Sequence, residues 1–370
     1  MNLKPIRNLY VHIPFCKHKC GYCDFNAYAG MDRLMPDYVG ALESELAAAP
    51  GRYSFEALET VYLGGGTPSL LPAALASRLL EFVRANFEVA PGAEITLEAN
   101  PASTDEAKLA AWMEGGVNRM SLGVQGFDGR ALAVLERKTD AAQATRAFEL
   151  ARSMGMRNIS IDLIYAVPFQ SLDSWMETLR RGLALGPDHI STYCLTFEEG
   201  TLLWRRRAEG RVPEVESDLQ WDQMDAACVE LQRAGFRRYE VSSWARPGFE
   251  SRHNQAYWQC RPVYGAGAGA HSYATDGKTA RRWWNVARPR DYIAASPEPE
   301  VDGEDLPARK TAAEWLMLGL RTEEGMAPPA GFELELAGLM AGGLIEEVDG
   351  RIVPTRRGMD LHNQIALAVL

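Results

Sequence analysis

The feature that most constrains the fold is a regular alternation of short apolar segments with helix-periodic segments over the first two-thirds of the 370-residue chain. Six apolar segments have the length and composition of strands: residues 8–15, 59–66, 93–100, 119–126, 158–166 and 189–195. Segments with helical periodicity lie between them: residues 35–48, 72–86, 104–113, 140–154 and 171–184. The strand segments show little polar alternation, which is typical of strands buried on both faces of a parallel sheet. Six such units in series predict an α/β fold with right-handed crossovers.

The positions of the polar residues help to distinguish a barrel from an open doubly wound sheet. Polar or glycine residues fall in, or just past, the C-terminal half of five predicted strands: Cys16, Gly65–Thr67, Glu98, Gln125 and Asp162. In a barrel those ends meet on one active-site face. In an open sheet only the ends at a switch point would meet. We therefore predict a partial (β/α)6 barrel, similar in plan to a TIM barrel.

The alternation breaks after residue 247. Residues 248–303 contain a His-Asn-x-x-Tyr-Trp motif, a glycine–alanine run that predicts a flexible loop, and at 294–305 the composition of an exposed linker. Residues 304–370 predict two helices (308–320 and 332–341), a hairpin turning at Asp349-Gly350 and a last helix, an order that resembles a winged-helix module. The predicted division is a barrel at 1–247, a connecting segment at 248–303 and a small helical, winged-helix-like domain at 304–370.

Charge and hydropathy exclude several classes of function. The formal net charge of -10 argues against a general binder of nucleic acid or of anionic membranes. Residues 304–370 carry eleven acidic and six basic side chains, so DNA is not a predicted partner of the C-terminal domain either. Neither a signal-peptide pattern nor a membrane-length apolar run is found, so the predicted compartment is the cytoplasm.

Three of the six cysteines, Cys16, Cys20 and Cys23, lie within eight positions after the first predicted strand. In a long cytosolic chain they predict metal or redox chemistry rather than a disulfide framework. A zinc site would need a fourth ligand, such as His12 or His18. A redox pair of Cys20 and Cys23 would leave Cys16 without a role, whereas an iron–sulfur cluster held by three thiolates would keep one iron open to a ligand. The scattered cysteines are predicted to be buried: Cys194, Cys228 and Cys260.

The spacing Cys16-x3-Cys20-x2-Cys23 resembles the signature of the radical S-adenosylmethionine (SAM) superfamily. The stretch GGGTP at 64–68 resembles the glycine motif of the same superfamily. The resemblance implies a [4Fe-4S] cluster on the three cysteines, with SAM chelated by the open iron. It also implies a set of SAM contacts: Tyr10, Tyr22, Gly65, Gly66, Thr67, Glu98, Gln125, Arg137 and Asp162.

The combination of YVHIPFC, GGGTP, LEANP, SLGVQ and IDLIYAVP is similar to the oxygen-independent coproporphyrinogen III oxidase group. That group comprises true oxidases and shorter relatives that resemble heme chaperones of the HemW type. The oxidases carry a fourth cysteine where this chain has Phe25, and a longer extension before the first strand. The motif at 253–258 resembles the chaperones' histidine motif, with His253 as the candidate heme ligand and His271 as a second candidate. The resemblance therefore implies a heme chaperone, with oxygen-independent coproporphyrinogen III dehydrogenase as the alternative.

The bound groups and partners implied by the resemblance follow from that assignment. The bound groups are a [4Fe-4S] cluster, SAM and heme, and the partners are a heme-accepting protein and a reduced flavodoxin or ferredoxin as electron donor. A heme-linked dimer and a membrane-associated acceptor are also compatible with it. The stretch RRWWNVARPRDY at 281–292 places arginines beside aromatic rings, which would suit heme propionates or single-stranded nucleic acid, or would hold the C-terminal domain against the barrel.

Overall fold

A computed structural model describes residues 3–370 of the chain. The strands are β1 Ile6–Ile13, β2 Phe15–Cys16, β3 Tyr28–Ala29, β4 Phe55–Gly65, β5 Val89–Ala99, β6 Arg119–Gln125, β7 Asn158–Tyr165, β8 His189–Cys194, β9 Arg237–Arg238, β10 Ser243–Ala245, β11 Val263–Ala266, β12 His271–Thr275, β13 Ala280–Asn285, β14 Glu300–Leu306, β15 Ile345–Val348 and β16 Arg351–Pro354. The helices are α1 Met35–Arg52, α2 Ala73–Asn86, α3 Glu106–Glu114, α4 Gly129–Val134, α5 Ala141–Ser153, α6 Leu172–Ala184, α7 Leu202–Ala208, α8 Ser217–Arg233, α9 Arg252–Trp258, α10 Pro289–Ala295, α11 Ala308–Gly319, α12 Glu333–Ala341, α13 Arg356–Asp360 and α14 His362–Val369. Short 3-10 turns lie at Asp32–Leu34, Pro68–Leu70 and Pro101–Ser103.

Twelve strands form one sheet in the order β14-β13-β12-β11-β1-β4-β5-β6-β7-β8-β10-β9. The strands β11, β1 and β4 to β8 are parallel, and the strands outside them on both sides pair antiparallel. The six predicted strands are β1 and β4 to β8, and the five predicted helices are α1, α2, α3, α5 and α6. The predicted α/β fold is therefore confirmed. Within residues 3–370 the barrel is partial, because β8 pairs onward with β10 and β1 pairs with β11 instead of with each other.

Polar and apolar side chains alternate along the parallel strands, so the prediction of little alternation is wrong. In-register neighbours place polar side chains on one face: Asn8, Tyr10, Thr60, Tyr62, Glu94, Thr96, Glu98, Arg119, Ser121, Ser160, Asp162 and His189. The intervening residues form the hydrophobic core with the helices; they include Leu9, Val61, Leu97, Leu122 and Ile161. Hydrogen bonds join the polar side chains of adjacent strands, as between Tyr62 Oη and Glu98 Oε1 (2.7 Å). The core therefore lies between sheet and helices, and the interior of the barrel is polar.

Residues 248–303 extend the sheet and are not a connecting segment. The strand β11 lies parallel beside β1, with Tyr10 opposite Gly265, and β12 to β14 continue antiparallel. The predicted linker at 294–305 is wrong from residue 300 onward, where β14 begins. The first two residues of the glycine–alanine run, Gly265 and Ala266, belong to the buried strand β11, and residues 267–270 form the turn that leads to β12. The small residues of the run allow close packing, since a Cβ at Gly265 would lie 2.3 Å from the carbonyl oxygen of His271.

A buried carboxylate on α1 holds this extension in place. Glu45 accepts hydrogen bonds from Tyr264 Oη (3.1 Å), Gly267 N (2.9 Å), Asn285 Nδ2 (2.7 Å) and Tyr292 Oη (2.5 Å). Burial raises the pKa of Glu45, and the four donors oppose that rise. The extended part of the sheet and α1 therefore share one hydrogen-bonded centre.

The C-terminal segment has its own hydrophobic cluster, which joins α11, α12, the β15–β16 hairpin and α14. The hairpin turns at Asp349 (φ 51°) and Gly350 (φ 75°), as predicted, with the two positive φ angles that a tight hairpin turn requires. An ion pair between Arg238 and Asp360 (2.5 Å), both nearly buried, connects this segment to β9. Among the helices of residues 3–370, none combines the length and apolarity needed to cross a membrane.

Candidate cofactor and ligand site

The carboxyl ends of the barrel strands and the cysteine loop enclose a cavity of about 360 Å³. Most of the predicted site residues line it: Cys16, Cys20, Cys23, Tyr22, Gly65, Gly66, Thr67, Glu98, Gln125, Arg137 and Asp162. These residues come from five strands or their following loops, and the fold brings them together as a barrel predicts. Three predicted site residues lie elsewhere: Tyr10, His253 and His271.

The three clustered cysteines lie on the loop that follows β1. Cys16 is buried at the end of β2, and Cys20 and Cys23 are half-buried. The Cys16 thiol lies 3.4 Å from Thr67 Oγ1, and the Cys20 thiol lies 3.7 Å from Arg137 Nη1. Burial raises the pKa of Cys16 and raises the pKa of Cys23 to about 11. Both thiols are therefore protonated at neutral pH until a metal replaces the proton.

The histidines near the loop do not support a zinc site. His12 has both ring nitrogens engaged, Nδ1 with Tyr10 Oη (2.9 Å) and Nε2 with the Asn26 carbonyl (2.9 Å). His18 lies 3.7 Å from Glu136. Throughout residues 3–370, no three His, Cys, Asp or Glu side chains are gathered around one ion position, which zinc requires. A [4Fe-4S] cluster does not need such convergence, because each thiolate binds a different iron.

The glycine motif closes the cavity against the cysteine loop. Gly65 has a φ of 109°, and its backbone N–H donates to Glu98 Oε2 (3.0 Å). A Cβ at Gly66 would lie 2.8 Å from the Phe15 carbonyl oxygen, a contact that real Cβ atoms do not make. These two positions therefore require glycine for different reasons, a left-handed backbone and a close approach of two chain segments.

Two carboxylates on the inner face of the sheet, Glu98 of β5 and Asp162 of β7, face the cavity. Burial raises the pKa of Glu98 to about 7, with the hydrogen bond from Tyr62 opposing the rise and Asp162 adding to it. Burial likewise raises the pKa of Asp162, against hydrogen bonds from Ser191 and Ser121 and the charge of Arg119. A cationic or hydroxyl-bearing ligand would stabilise both carboxylates in their ionised forms, because burial in the cavity penalises those forms.

Unpaired polar atoms also face this region. Gln125, at the end of β6, has a φ of 68°, an unfavourable left-handed conformation for a residue with a side chain. Its Oε1 and the Nε of Arg137 are buried, and neither has a hydrogen-bond partner within the part of the chain that the structure describes. Buried polar atoms without partners are costly, so they point to a polar ligand or water in the complete site.

His253 lies on α9, packed into the polar interior of the barrel. Its Nδ1 is 2.7 Å from Thr60 Oγ1, whose hydroxyl already donates to Asn8 Oδ1 (2.9 Å). His253 Nδ1 must therefore carry the proton and donate it, which leaves a lone pair on Nε2. That atom is buried and has no partner among the described residues, and burial lowers the pKa of His253 to about 3. The ring is a neutral imidazole with a bare Nε2, but it is 1% exposed.

The structure places Tyr10, His271 and the arginine–tryptophan stretch at 281–292 outside the lining of the cavity. Tyr10 does not line the cavity; its ring packs against those of Tyr62 and His253, with centroids 6.1 and 6.4 Å away, and those two rings stack on each other at 5.0 Å. His271 is exposed at the start of β12 and stacks on Trp284 (5.5 Å). The arginine–tryptophan stretch at 281–292 forms β13 and α10, and Arg282 is paired with carboxylates of β14 and α11.

Several cavity residues were missed by the sequence reasoning, and Cys194 is the one among them that carries a thiol. Cys194 is exposed at the end of β8 and lines the cavity, so its predicted burial is wrong. Cys228 is buried as predicted, and Cys260 is half-buried. The signal for Cys194 was present, since it follows the same rule of position at a strand's carboxyl end that identified Glu98 and Asp162.

Comparisons with known proteins agree with this geometry. The model of the radical SAM superfamily matches residues 10–182. The heme chaperone HemW of Mycobacterium tuberculosis is 38% identical over 371 residues, covering 98% of this chain and 94% of the relative. The chain belongs to the HemW family. HemW of Bacillus subtilis is 31% identical over 99% of both chains, and HemW of Escherichia coli is 38% identical over 78% of this chain and 76% of the relative.

A solved structure shares the fold of this chain. Coproporphyrinogen III oxidase (HemN) of Escherichia coli, a radical SAM enzyme, superposes with a TM-score of 0.83 over 99% of this chain and 90% of its own, at 24% sequence identity. At that identity the likeness shows the radical SAM fold. Membership of the superfamily implies a [4Fe-4S] cluster and SAM. The thiols, the glycine approach and the unpaired Gln125 and Arg137 atoms fit those groups.

Proposed function

We propose that this protein binds heme and transfers it to an acceptor protein, with a [4Fe-4S] cluster on Cys16, Cys20 and Cys23 and SAM in the adjoining cavity. The observation that carries the proposal is the meeting of three thiols with strand-end polar residues around one cavity of about 360 Å³. A cluster held there would supply an open iron and a single electron. The relatives that match over most of the chain carry the name heme chaperone HemW.

The protein's own side chains have distinct tasks toward SAM in this proposal. Glu98 and Asp162 present carboxylates that a positively charged or hydroxyl-bearing group would pair with. Arg137, beside the Cys20 thiol, presents a guanidinium suited to a carboxylate. Gly65 and Gly66 let the end of β4 pack closely against the residues that lead into the cysteine loop, which shapes the cavity wall. Tyr22 and Gln125 complete the wall, while Tyr10 acts from behind it by fixing His12 through a 2.9 Å hydrogen bond.

Heme ligation is the second part of the proposal, with His253 as the axial ligand. Metal-binding histidines usually donate a hydrogen bond from the nitrogen that does not bind the metal. The Nδ1 bond to Thr60 and the bare Nε2 of His253 match that arrangement. Because His253 is buried, heme can reach it only when α9 moves away from the barrel. The exposed His271 is the second candidate ligand and needs no such movement.

Titration with heme, followed by visible absorbance, tests the ligand assignment. We expect His253→Ala to change the absorption maximum of bound heme and to weaken its affinity at least tenfold, and His271→Ala to match the wild type. His362→Ala is a matched control, because His362 is held by the Met317 carbonyl (2.8 Å) in the C-terminal segment. A wild-type spectrum in His253→Ala together with a lost signal in His271→Ala would transfer the role to His271. No change in either variant would refute both assignments.

Product analysis separates the proposed chaperone from an enzyme. Reconstituted protein incubated anaerobically with SAM, reductant and coproporphyrinogen III is expected to yield no protoporphyrinogen, because Phe25 stands where the oxidases carry a fourth cysteine. Formation of that product would establish the dehydrogenase alternative.

We further propose the cytoplasm as the compartment, a heme-accepting protein as partner, free or membrane-associated, and a flavodoxin or ferredoxin as electron donor. A heme-linked dimer would appear in sedimentation as a species that forms only with heme.

A further inference from the structure

A second cavity, of about 250 Å³, adjoins the cysteine loop and shares Cys20 with the first. Four of its lining side chains are basic or imidazole groups: Lys17, His18, Arg137 and Lys138. None of the described residues that line it is acidic. We call these four residues the cationic rim.

The rim is positively charged, whereas the molecule as a whole carries a net negative charge. The chain has 49 acidic and 39 basic side chains, for a net charge of -10. A neighbouring depression beside Cys20 and Cys23 is balanced, with Lys19 and Arg205 against Asp24 and Glu199. The excess of positive charge near the cysteine loop therefore lies on the side of the rim.

Only part of the rim's positive charge is neutralised within the fold, since none of the ion pairs of the described residues includes Lys17 or Lys138. The Nη2 of Arg137 donates to the Gly123 carbonyl (2.6 Å), and its Nε has no partner in the described chain. The adjacent carboxylate, Glu136, pairs with Arg206 (2.5 Å) and also lies 3.7 Å from His18 Nε2. Lys17 and Lys138 are exposed. The rim can therefore attract an anionic surface from solution.

We propose that the cationic rim is the docking surface for an acidic electron-carrier protein. The proposal rests on the proposed cluster, because the Cys20 thiol that would hold it lines the rim cavity and is half-buried. An acidic carrier is repelled by most of this molecule, so a local basic site decides where it docks. One electron passes from the reduced carrier to the cluster; the carrier is oxidised by one electron, and no covalent bond forms or breaks.

Stopped-flow reduction of the cluster-loaded protein tests the proposal, with flavodoxin hydroquinone as the probe. Loss of visible cluster absorbance and appearance of the flavodoxin semiquinone report the same one-electron step. We expect the second-order rate at low salt to fall at least tenfold in Lys17→Glu/Lys138→Glu, and its dependence on ionic strength to flatten. Arg137 stays unchanged in this variant, because it is a proposed SAM contact. Equal cluster content and SAM affinity show that the variant is folded.

The matched control is Lys4→Glu/Lys278→Glu, which changes the net charge equally at two exposed lysines outside the rim. It is expected to keep the wild-type rate. Reduced methyl viologen, a small cation, is expected to reduce the rim variant at least as fast as the wild type. An unchanged flavodoxin rate in the rim variant, or an equal fall in the control variant, would overturn the proposal.

Other occupants of the rim would give different results. If inorganic phosphate binds the wild type but not the rim variant, and the flavodoxin rate is unchanged, the rim is a small-anion site and the proposal is wrong. If only heme affinity falls in the rim variant, the rim holds a propionate and the proposal is again wrong. A protein that binds no heme but retains the flavodoxin effect would refute the proposed function and leave the docking surface standing.

Discussion

Replacing Glu98 with glutamine tests the electrostatics of the cavity. The pKa of Glu98 is raised from 4.5 to about 7, chiefly because burial penalises the charged form. Since the folded-state pKa lies above the ordinary one, ionisation destabilises the fold: the penalty is absent below about pH 4.5, grows as the pH rises and is complete above about pH 7. The difference corresponds to about 3 kcal/mol, as an upper bound because water enters the cavity that Glu98 faces.

Glutamine has the shape of the protonated carboxyl group and cannot ionise. We expect Glu98→Gln without ligand to have the wild-type free energy of unfolding at pH 5 and to exceed it by up to about 3 kcal/mol at pH 8. Urea-induced unfolding followed by circular dichroism at both pH values measures the difference. Glu88→Gln, on the exposed surface, serves as the control and should show no such pH dependence. A Glu98→Gln variant whose stability difference is the same at both pH values would refute the reasoning.

Three further outcomes follow from particular contacts. Cys20→Ala should abolish the brown absorbance of anaerobically reconstituted protein, whereas Cys260→Ala should keep it; retained colour in the first variant would remove Cys20 as a ligand. Glu45→Ala leaves four buried donors without their carboxylate acceptor, so it should lower the free energy of unfolding by about 3–5 kcal/mol. Urea unfolding measures this loss. A loss below about 1 kcal/mol would contradict the conclusion that Glu45 holds the extended part of the sheet against α1. Gly66→Ala should abolish SAM binding in calorimetry, whereas Gly129→Ala, where a Cβ meets open space, should not. A wild-type SAM affinity in Gly66→Ala would show that the chain near Phe15 can shift to admit the Cβ, and would contradict the requirement for glycine at this position.

The barrel could be predicted because each of its strands and helices carries its own local pattern. The bounds of β6 and α2 differ from the predicted ones by a single residue. The extension of the sheet could not be predicted in the same way. The strand β11 has few large side chains to make a pattern, and its place beside β1 depends on pairing across more than 250 residues and on the hydrogen bonds to Glu45.

The cavity could be predicted for a related reason, since its residues occupy a shared position at the ends of strands. The burial of His253 could not. The seven-residue helix α9 enters the barrel through contacts with Thr60 and Glu94, which lie on different strands far away in sequence. A histidine motif suggests a metal ligand, but only the tertiary packing reveals that Nε2 of His253 is covered.

The two faces of the barrel strands have a consequence for how this protein can change. Along β4 and β5, a substitution at Leu63 or Leu97 alters the packing of sheet against helices, whereas one at Tyr62 or Thr96 alters the polar interior. The parity of a position within its strand therefore decides whether a substitution acts on the packing of sheet against helices or on the polar network of the interior, and Glu98 shows that the second kind can change stability as well.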